Sequence, residues 1–437
     1  QFLFTSLLLF LFIPIISPFF GAEYAVIYAQ TDNADAGDTN SENSEFPEKM
    51  KERKTWEWIL SSPGLLINLP LNIIFKSIGA VISIDHEIHL VTKITELLTS
   101  QDGLRAVRPI YSASGGAGFK YYHKDIFNKN SRFQLAASAG LRYRQKYELS
   151  LTRLSLFGKT LFGDIFIGYN IMPDEPFYGI SQYSSRDDES LYTHEKVYAY
   201  FHLGTQFNKE IAFRAEFDFE QNNILEGRDL DDESVTDIYT NSELPGLQNK
   251  LRLIGTNLNI IYNSRNVSGG PTSGQNIDLS GGLYQQADGN DYSFWKFSAD
   301  IRQYIHLFYG RTIELRFAGE MTQAISHKKI PFYHLSELGD EETIRGFDKG
   351  RYRDRNKILG SIEYRYPIWN RFDNTIDAFL FIDAGQVAYD IKDEFDFDNV
   401  NIGFGGGLRL WSSESEFFRI TIGKSKERYR LYFSLNK

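Results

Sequence analysis

Few residues in this chain stand where catalysis would need them. His86 and His89 lie three apart, the spacing that puts two metal ligands on one helix face, but Asp85 and Glu87 point elsewhere and no third ligand follows. A solvated helix face is therefore the expected reading of the pair. Gly179-Ile180-Ser181-Gln182-Tyr183 opens like a nucleophile elbow but lacks its closing glycine and its strand–turn–helix setting. Gly269-Gly270-Pro271-Thr272-Ser273-Gly274 carries no Gly-Lys-Ser/Thr and reads as a hairpin turn rather than a phosphate cradle. His194, His202, His306, His327 and His334 are scattered without metal spacing. The chain has no cysteine, which removes disulfides, thiolate zinc sites and thiol nucleophiles together. The expectation is a protein that is not an enzyme and carries neither cofactor nor metal. One constellation remains, Arg345 with the carboxylates of Glu363 and Asp383. A guanidinium can grip carboxylates through paired N–H donors, so this is the chemistry of a structural lock.

The bulk composition narrows the class further. Against 47 Lys+Arg stand 57 Asp+Glu, and a net charge of −10 argues against a nucleic-acid binder, which needs a basic face. Among 437 residues there are 35 Phe and 26 Tyr but only 5 Trp. The chain is hydrophilic on average, which excludes a helical membrane bundle. A β-barrel escapes that exclusion, because its strands alternate lipid-facing apolar residues with lumen-facing polar ones.

Residues 1–29 read as a secretory signal peptide, an uncharged apolar run from Leu3 to Phe20 with the cut expected at Ala29/Gln30. Gln1 is preceded by no basic n-region, so the extreme N-terminus is expected to be missing. The alternative, a retained anchor, lacks a basic stop-transfer flank. Residues 30–46, acidic and rich in Asn, Asp, Ser and Thr, are expected to be a disordered linker. Residues 47–109 read as a helical periplasmic or interfacial segment. Its apolar stretch from Ile59 to Ile84 is interrupted by Pro63, Gly64 and Pro70, which argues against a span.

From about 110 to 437 the period changes from helix to strand. In Glu210–Glu220, Phe213, Phe217 and Phe219 share one face, and Arg214, Glu216, Asp218 and Glu220 the other. The same opposition recurs in 295–302, 311–322 and 428–435. These segments run about 10–14 residues against a mean of roughly 5–6 for globular strands, the length a tilted strand needs to cross a bilayer. Mixed charges on the inner face of strand after strand suit a hydrated lumen and would ruin a soluble core. The fold class predicted is an all-β transmembrane antiparallel barrel. Reading along the chain finds about fifteen strands, the first near 115–122, and the parity of a barrel with both ends in the periplasm requires an even number. One strand between 105 and 190 is therefore expected to be missing from the count, giving about sixteen.

The segment Ser326–Asn356 is too long for a tight turn and carries Ile344-Arg345-Gly346-Phe347. The strand after it contains Glu363-Tyr364-Arg365-Tyr366-Pro367, and the next Phe381-Ile382-Asp383-Ala384-Gly385. If Ile362, Tyr364, Leu380 and Ile382 face lipid, then Glu363, Arg365 and Asp383 face the lumen. The loop can then fold inward and pair Arg345 with Asp383 and Glu363, with Gly346 supplying a tight turn and Phe347 a wedge. Nearer the start of the strand region, Gly115, Gly116 and Gly118 offer few side chains to hold a ladder. They mark either a weak lateral seam opposite Phe433 or, equally, close strand packing at a corner. An unpaired seam edge would template an incoming strand.

This ordered set of motifs resembles the outer-membrane protein assembly and two-partner-secretion transporter superfamily, the BamA/TamA-type or bacterial surface antigen barrels. Glu175-Pro176-Phe177-Tyr178-Gly179-Ile180 and Tyr262-Asn263-Ser264-Arg265 with Pro271-Thr272-Ser273-Gly274 look like further family landmarks. The resemblance covers about 110–437. It implies a sixteen-stranded barrel of the Gram-negative outer membrane, an inward loop locked by Arg345 on Asp383 with Gly385 beside it, and a seam able to open toward lipid. Residues 30–110 show no βααββ pattern of the POTRA modules that family members usually carry, so capture of substrate by such modules is not expected of this chain. The partners implied are outer-membrane lipid, unfolded outer-membrane or secreted proteins and periplasmic accessory proteins, with no nucleic acid. Three functions fit: insertion or translocation of proteins through the seam, a passive or structural barrel such as a pore or surface antigen, and a receptor using acidic loops such as Asp229–Glu233.

Overall fold

The computed structural model describes residues 98–112, 116–127, 130–140, 143–156, 160–227, 233–247, 250–371 and 373–435. The expected signal peptide and linker, most of the expected helical segment with His86 and His89, and Gly115 lie outside them. The chain divides into two units, Gln1–Arg108 and Pro109–Lys437. In the first, the described residues form a turn in which the Ser100 hydroxyl donates to the Arg105 carbonyl at 3.0 Å.

Sixteen strands make one sheet in the order β1 (Arg105–Ser112), β2 (Gly116–Lys124), β3 (Arg132–Ala139), β4 (Gln145–Leu156), β5 (Leu161–Phe177), β6 (Ser190–Gln206), β7 (Ile211–Glu226), β8 (Leu251–Asn263), β9 (Gly274–Gln286), β10 (Ser293–His306), β11 (Thr312–Ala324), β14 (Asn356–Arg371), β15 (Asn374–Ala388), β16 (Asn401–Trp411), β17 (Glu416–Ser425) and β18 (Tyr429–Leu435). The missing sixteenth strand is β1, before the expected first one. Its sequence, Arg105-Ala106-Val107-Arg108-Pro109-Ile110-Tyr111-Ser112, breaks the apolar alternation with a proline and so hides from a periodicity reading. Two further short strands, β12 (Ser336–Leu338) and β13 (Tyr352–Asp354), pair with each other inside the long loop, where the sequence showed only loop character.

Burial along the strands is the reverse of a soluble protein. On β7 Phe213, Phe217 and Phe219 are exposed while Glu220 is buried; on β11 Leu315, Phe317 and Met321 are exposed while Glu314 is buried. On β15 Leu380 and Ile382 are exposed, and Asp383 beside Ile382 is 0 % exposed. An apolar outer wall around a charged interior belongs to a barrel whose solvent outside is lipid. Inside, the charges are paired across strands, as in Lys196–Glu220 and Arg316–Asp300, each at 2.6 Å. Tyr143 and Tyr147 are exposed near strand ends, whereas Tyr122 is buried on the inner face of β2, with its neighbour Tyr121 on the other face.

Two apolar clusters occupy the end of the barrel that holds the long loop. One joins Phe177, Tyr192, Ile224, Leu253 and Phe294 of the wall to Val235, Leu244, Ile330 and Phe332 of the loops. The other gathers Leu338, Ile344, Phe347 and Tyr352 of the long loop against Ala318, Leu359 and Val387 of β11, β14 and β15. They bury the loop side chains that an outward loop would leave in water.

The inverted wall gives a direct expectation. Leu258→Arg places a charge on the lipid face of β8 and should lower the urea stability of the barrel in liposomes by about 2–4 kcal/mol. Asn259→Lys, one residue along and on the opposite face, should leave the unfolding midpoint close to native. Equal loss in both variants would contradict the assignment of faces.

Candidate functional site

The long loop enters the lumen and places Arg345 against β14 and β15. Its Nε donates to Asp383 Oδ2 at 2.8 Å and its Nη2 to Asp383 Oδ1 at 2.7 Å, a bidentate fork. The remaining Nη1 donates to Glu363 Oε2 at 2.7 Å. The backbone N–H of Arg345 donates to Asp383 at 3.1 Å, and the Ser361 hydroxyl donates to Asp383 at 2.6 Å. The guanidinium carbon lies 3.5 Å from the Phe381 ring centre, a cation–π contact from the same strand as Asp383. Burial opposes the charge on Arg345, but the Asp383 hydrogen bonds and the Glu363 carboxylate outweigh it and raise its pKa above the ordinary value.

Alternation produces this convergence. Glu363 and Arg365 on β14 and Asp383 on β15 share the inner face of neighbouring strands, with Ser361 registered opposite Asp383. Gly346 has φ +101°, a conformation that favours glycine, and a Cβ there would stand 2.6 Å from the Lys424 carbonyl carbon. Phe347 is buried edge-to-face on Tyr352, with ring centres 5.5 Å apart. Gly385 leaves room for Ile344 and Leu338, whose methyl carbons would lie 3.0 and 3.2 Å from an added Cβ.

The adjoining strands β16, β17 and β18 complete this site with residues that carry no motif of their own in the sequence. Gly403 on β16 sits where a Cβ would meet the Arg345 carbonyl oxygen at 1.9 Å, and Gly423 on β17 where it would meet the Gly346 nitrogen at 2.7 Å. The Tyr432 hydroxyl of β18 accepts from Gly346 N at 2.9 Å and donates to the Phe347 carbonyl at 3.1 Å, and the Ser425 hydroxyl donates to the Gly346 carbonyl at 2.8 Å. Alternate glycines on one strand face, as in Gly403-Phe404-Gly405-Gly406-Gly407, are the signal that another backbone approaches closely.

Further pairs hold the rest of the loop. Lys349 pairs with Glu175, Arg351 with Glu427 at 2.9 Å, and buried Asp348 faces Arg186, Arg428 and Arg430. The stretch from Glu175 to Ile180 is thus a docking edge for the loop: the Arg353 guanidinium lies over Phe177, and the Ser181 backbone bridges that of Arg353. Below the loop a run of ion pairs continues along the inner wall. Glu363 accepts from Arg419 at 3.2 Å and Arg365 at 2.9 Å, Glu416 from Arg419 at 2.7 Å and Arg409 at 3.1 Å, and Asp377 from Arg409 at 2.8 Å. Arg365 also pairs with Glu314.

The expected seam residues are not gathered with the lock. Gly116 and Gly118 lie on β2, one strand in from the edge of the sheet order, and β2 pairs with β3. A Cβ at either would meet β3 backbone oxygens within 2.2 Å, so close strand packing is their role in this sheet. They do not form the first strand, because β1 precedes them. Phe433 does lie on terminal β18, edge-to-face with Phe418 at 5.0 Å. Among the described residues no ladder joins β18 to β1. No group of three or more His, Asp or Glu side chains arranged to hold a metal occurs among the described residues.

An Omp85 superfamily domain matches residues 125–436, so the chain belongs to the Omp85 superfamily. Its fold is similar to BamA from Haemophilus ducreyi lacking POTRA domains 1–3, at TM-score 0.55 and 16 % identity over 76 % of this chain and 69 % of that one. It is also similar to CdiB from Escherichia coli, at TM-score 0.50 and 11 % identity over 74 % of this chain and 60 % of that one. No curated protein sequence matches the chain.

Two expectations follow from the geometry. Arg345→Ala leaves Asp383 and Glu363 buried with less positive charge beside them and should cost about 3–5 kcal/mol, read as a lower temperature for loss of the compact-barrel gel mobility. Gly403→Val should expose the loop to protease without removing any charge.

A third concerns His334, which lies within the long loop 3.4 Å from Glu220 and against the rings of Tyr284, Phe294 and Tyr333, with Lys196 and Lys296 also facing it. Burial pushes its imidazole below the ordinary value, and the neighbouring Glu220 carboxylate only partly offsets this. A histidine depressed in the folded state contributes stability that is present above its unfolded pKa of about 6.5 and is lost as pH falls. Protease protection of the loop should therefore weaken from about pH 7 to 5, and His334→Gln should flatten that dependence.

Proposed function

We propose that this chain is an outer-membrane barrel of the Gram-negative envelope that aids insertion or translocation of proteins through a lateral seam. The observation that carries the reading is the buried bidentate pair of Arg345 with Asp383, in a chain of this superfamily whose sheet order ends in two strands, β1 and β18. Tyr432 of β18 holds Gly346 and Phe347. Ser434, also on β18, donates to Glu341 of the loop at 3.0 Å. The loop thus braces a terminal strand from within. Strain on that brace would free backbone N–H and C=O groups of the edge to template an incoming strand, with no cofactor and no covalent step. The substrates of such a barrel are unfolded outer-membrane or secreted proteins.

The test places the purified chain in liposomes and times the folding of an added unfolded barrel protein, with Arg345→Ala run beside it. Heat-dependent gel mobility shows that both proteins are folded barrels. Acceleration by the native chain, reduced at least severalfold in the variant, is expected. A folded native barrel that gives no acceleration would refute autonomous insertion and leave a passive barrel.

A further inference from the structure

At the end of the barrel opposite the lock loop, the turn between β8 and β9 does not stay beside its own strands. The Ser268 and Gly269 N–H groups donate to the Ser413 carbonyl in the β16–β17 turn, at 2.9 and 3.2 Å. Gly270 lies so close over Trp411, the last residue of β16, that a Cβ would meet its ring at 2.0 Å, and Gly269, Gly270 and Pro271 are all buried. Four strands, β10, β11, β14 and β15, stand between β9 and β16 in the sheet. A turn following the wall would have to pass all of them, so the contact is made by crossing beneath the opening of the lumen.

Both ends of this bar are braced. Asn266 Oδ1 accepts from the N–H groups of Thr272 and Ser273 at 3.0 and 3.3 Å, and Asn266 Nδ2 donates to the Thr272 hydroxyl at 2.9 Å, which keeps the turn folded as a unit. At the seat, Trp411 Nε1 donates to Asp377 at 2.7 Å, and Asp377 is the last carboxylate of the ion-pair run that begins at Arg345. The Ser413 hydroxyl donates to Asp373 in the β14–β15 turn at 2.8 Å. The glycines permit the approach and the polar groups fix the landing point, so the crossing is a built contact.

We propose that the β8–β9 turn is a bar closing this mouth of the lumen, seated on Trp411 and Ser413, and that lifting it opens the lumen to water and polar solutes. With the lock loop filling the other end, the lumen is a chamber closed at both mouths. Closure of the chamber at this end depends on the seat rather than on the sheet, so the bar can move while the barrel stays intact.

The chain has no cysteine, which makes the test specific. Ser280 on the inner face of β9 is changed to Cys as a reporter, and its rate of reaction with a charged thiosulfonate is measured in the full chain. Gly270→Leu cannot seat on Trp411 and leaves every strand unchanged; it should raise the rate about tenfold or more, as expected when a protecting contact is removed. Trp411→Ala, which removes the seat instead of altering the bar, should do the same. A Ser268→Cys/Ser413→Cys pair, closed as a disulfide, should hold the mouth shut, so that the Ser280→Cys reporter reacts no faster than it does without the pair. The same closed pair in a chain that keeps Ser280 gives the background rate to subtract. The compact gel mobility of each variant establishes that its barrel is folded. Equal rates in the folded reporter protein with and without Gly270→Leu, or rapid reaction when the bar is unaltered, would overturn the proposal.

Discussion

A backbone N–H or C=O group has no partner in hydrocarbon, and this constraint governs the molecule from the wall inward. It forces the strands into one continuous sheet, long enough to cross lipid, with every neighbour antiparallel from β2 to β18. Once the outer face is given to Phe, Leu and Ile, alternation sends the charged residues inside. There they meet one another at short range. Paired charges are the way such an interior remains tolerable. The run from Arg345 through Glu363, Arg419, Glu416 and Arg409 to Asp377 is that solution drawn out along one side of the lumen.

The lock is the point where a loop supplies the charge that the wall lacks. Asp383 is fully buried, and the donors described around it come from Arg345 and Ser361. Removing the arginine side chain leaves the carboxylate with the Ser361 hydroxyl and one backbone N–H of the loop, which ties the position of an entire loop to one wall residue. Gly403 and Gly423 act by subtraction, clearing the surface on which the loop backbone lies. Tyr432 and Ser425 then hold that backbone through its carbonyls and one N–H. The same pairing of a glycine approach with a polar landing recurs at the far end, where Gly269 and Gly270 meet Ser413 and Trp411.

Much of the barrel was legible because a lipid-facing strand must alternate and must be long. β7, β10, β11 and β15 declare themselves in this way, and the inward orientation of Glu363, Arg365 and Asp383 follows from counting along the strand. β1 escaped because Pro109 and two arginines break its pattern. The glycines at 116 and 118 were placed on a first strand, and thus at a seam, for the same reason: with β1 unseen, β2 took its position. β12 and β13 are three residues each, too short for any period to register.

What the residues determined by themselves is the class of structure and the partners of its main ion pair. Alternation is a local property, and so is the choice of an arginine flanked by glycine on a loop between strands that carry inward carboxylates. Only the tertiary structure decided which backbones touch. The Arg345 loop against β16 and β17, Tyr432 on Gly346, and the β8–β9 turn on Trp411 join segments far apart in the chain. The first two depend on the loop folding back onto the neighbouring strands β14 to β18, and the last on the curved sheet bringing distant strands together. No periodicity along a strand records that distance, so those residues gain their meaning from the curvature of the sheet.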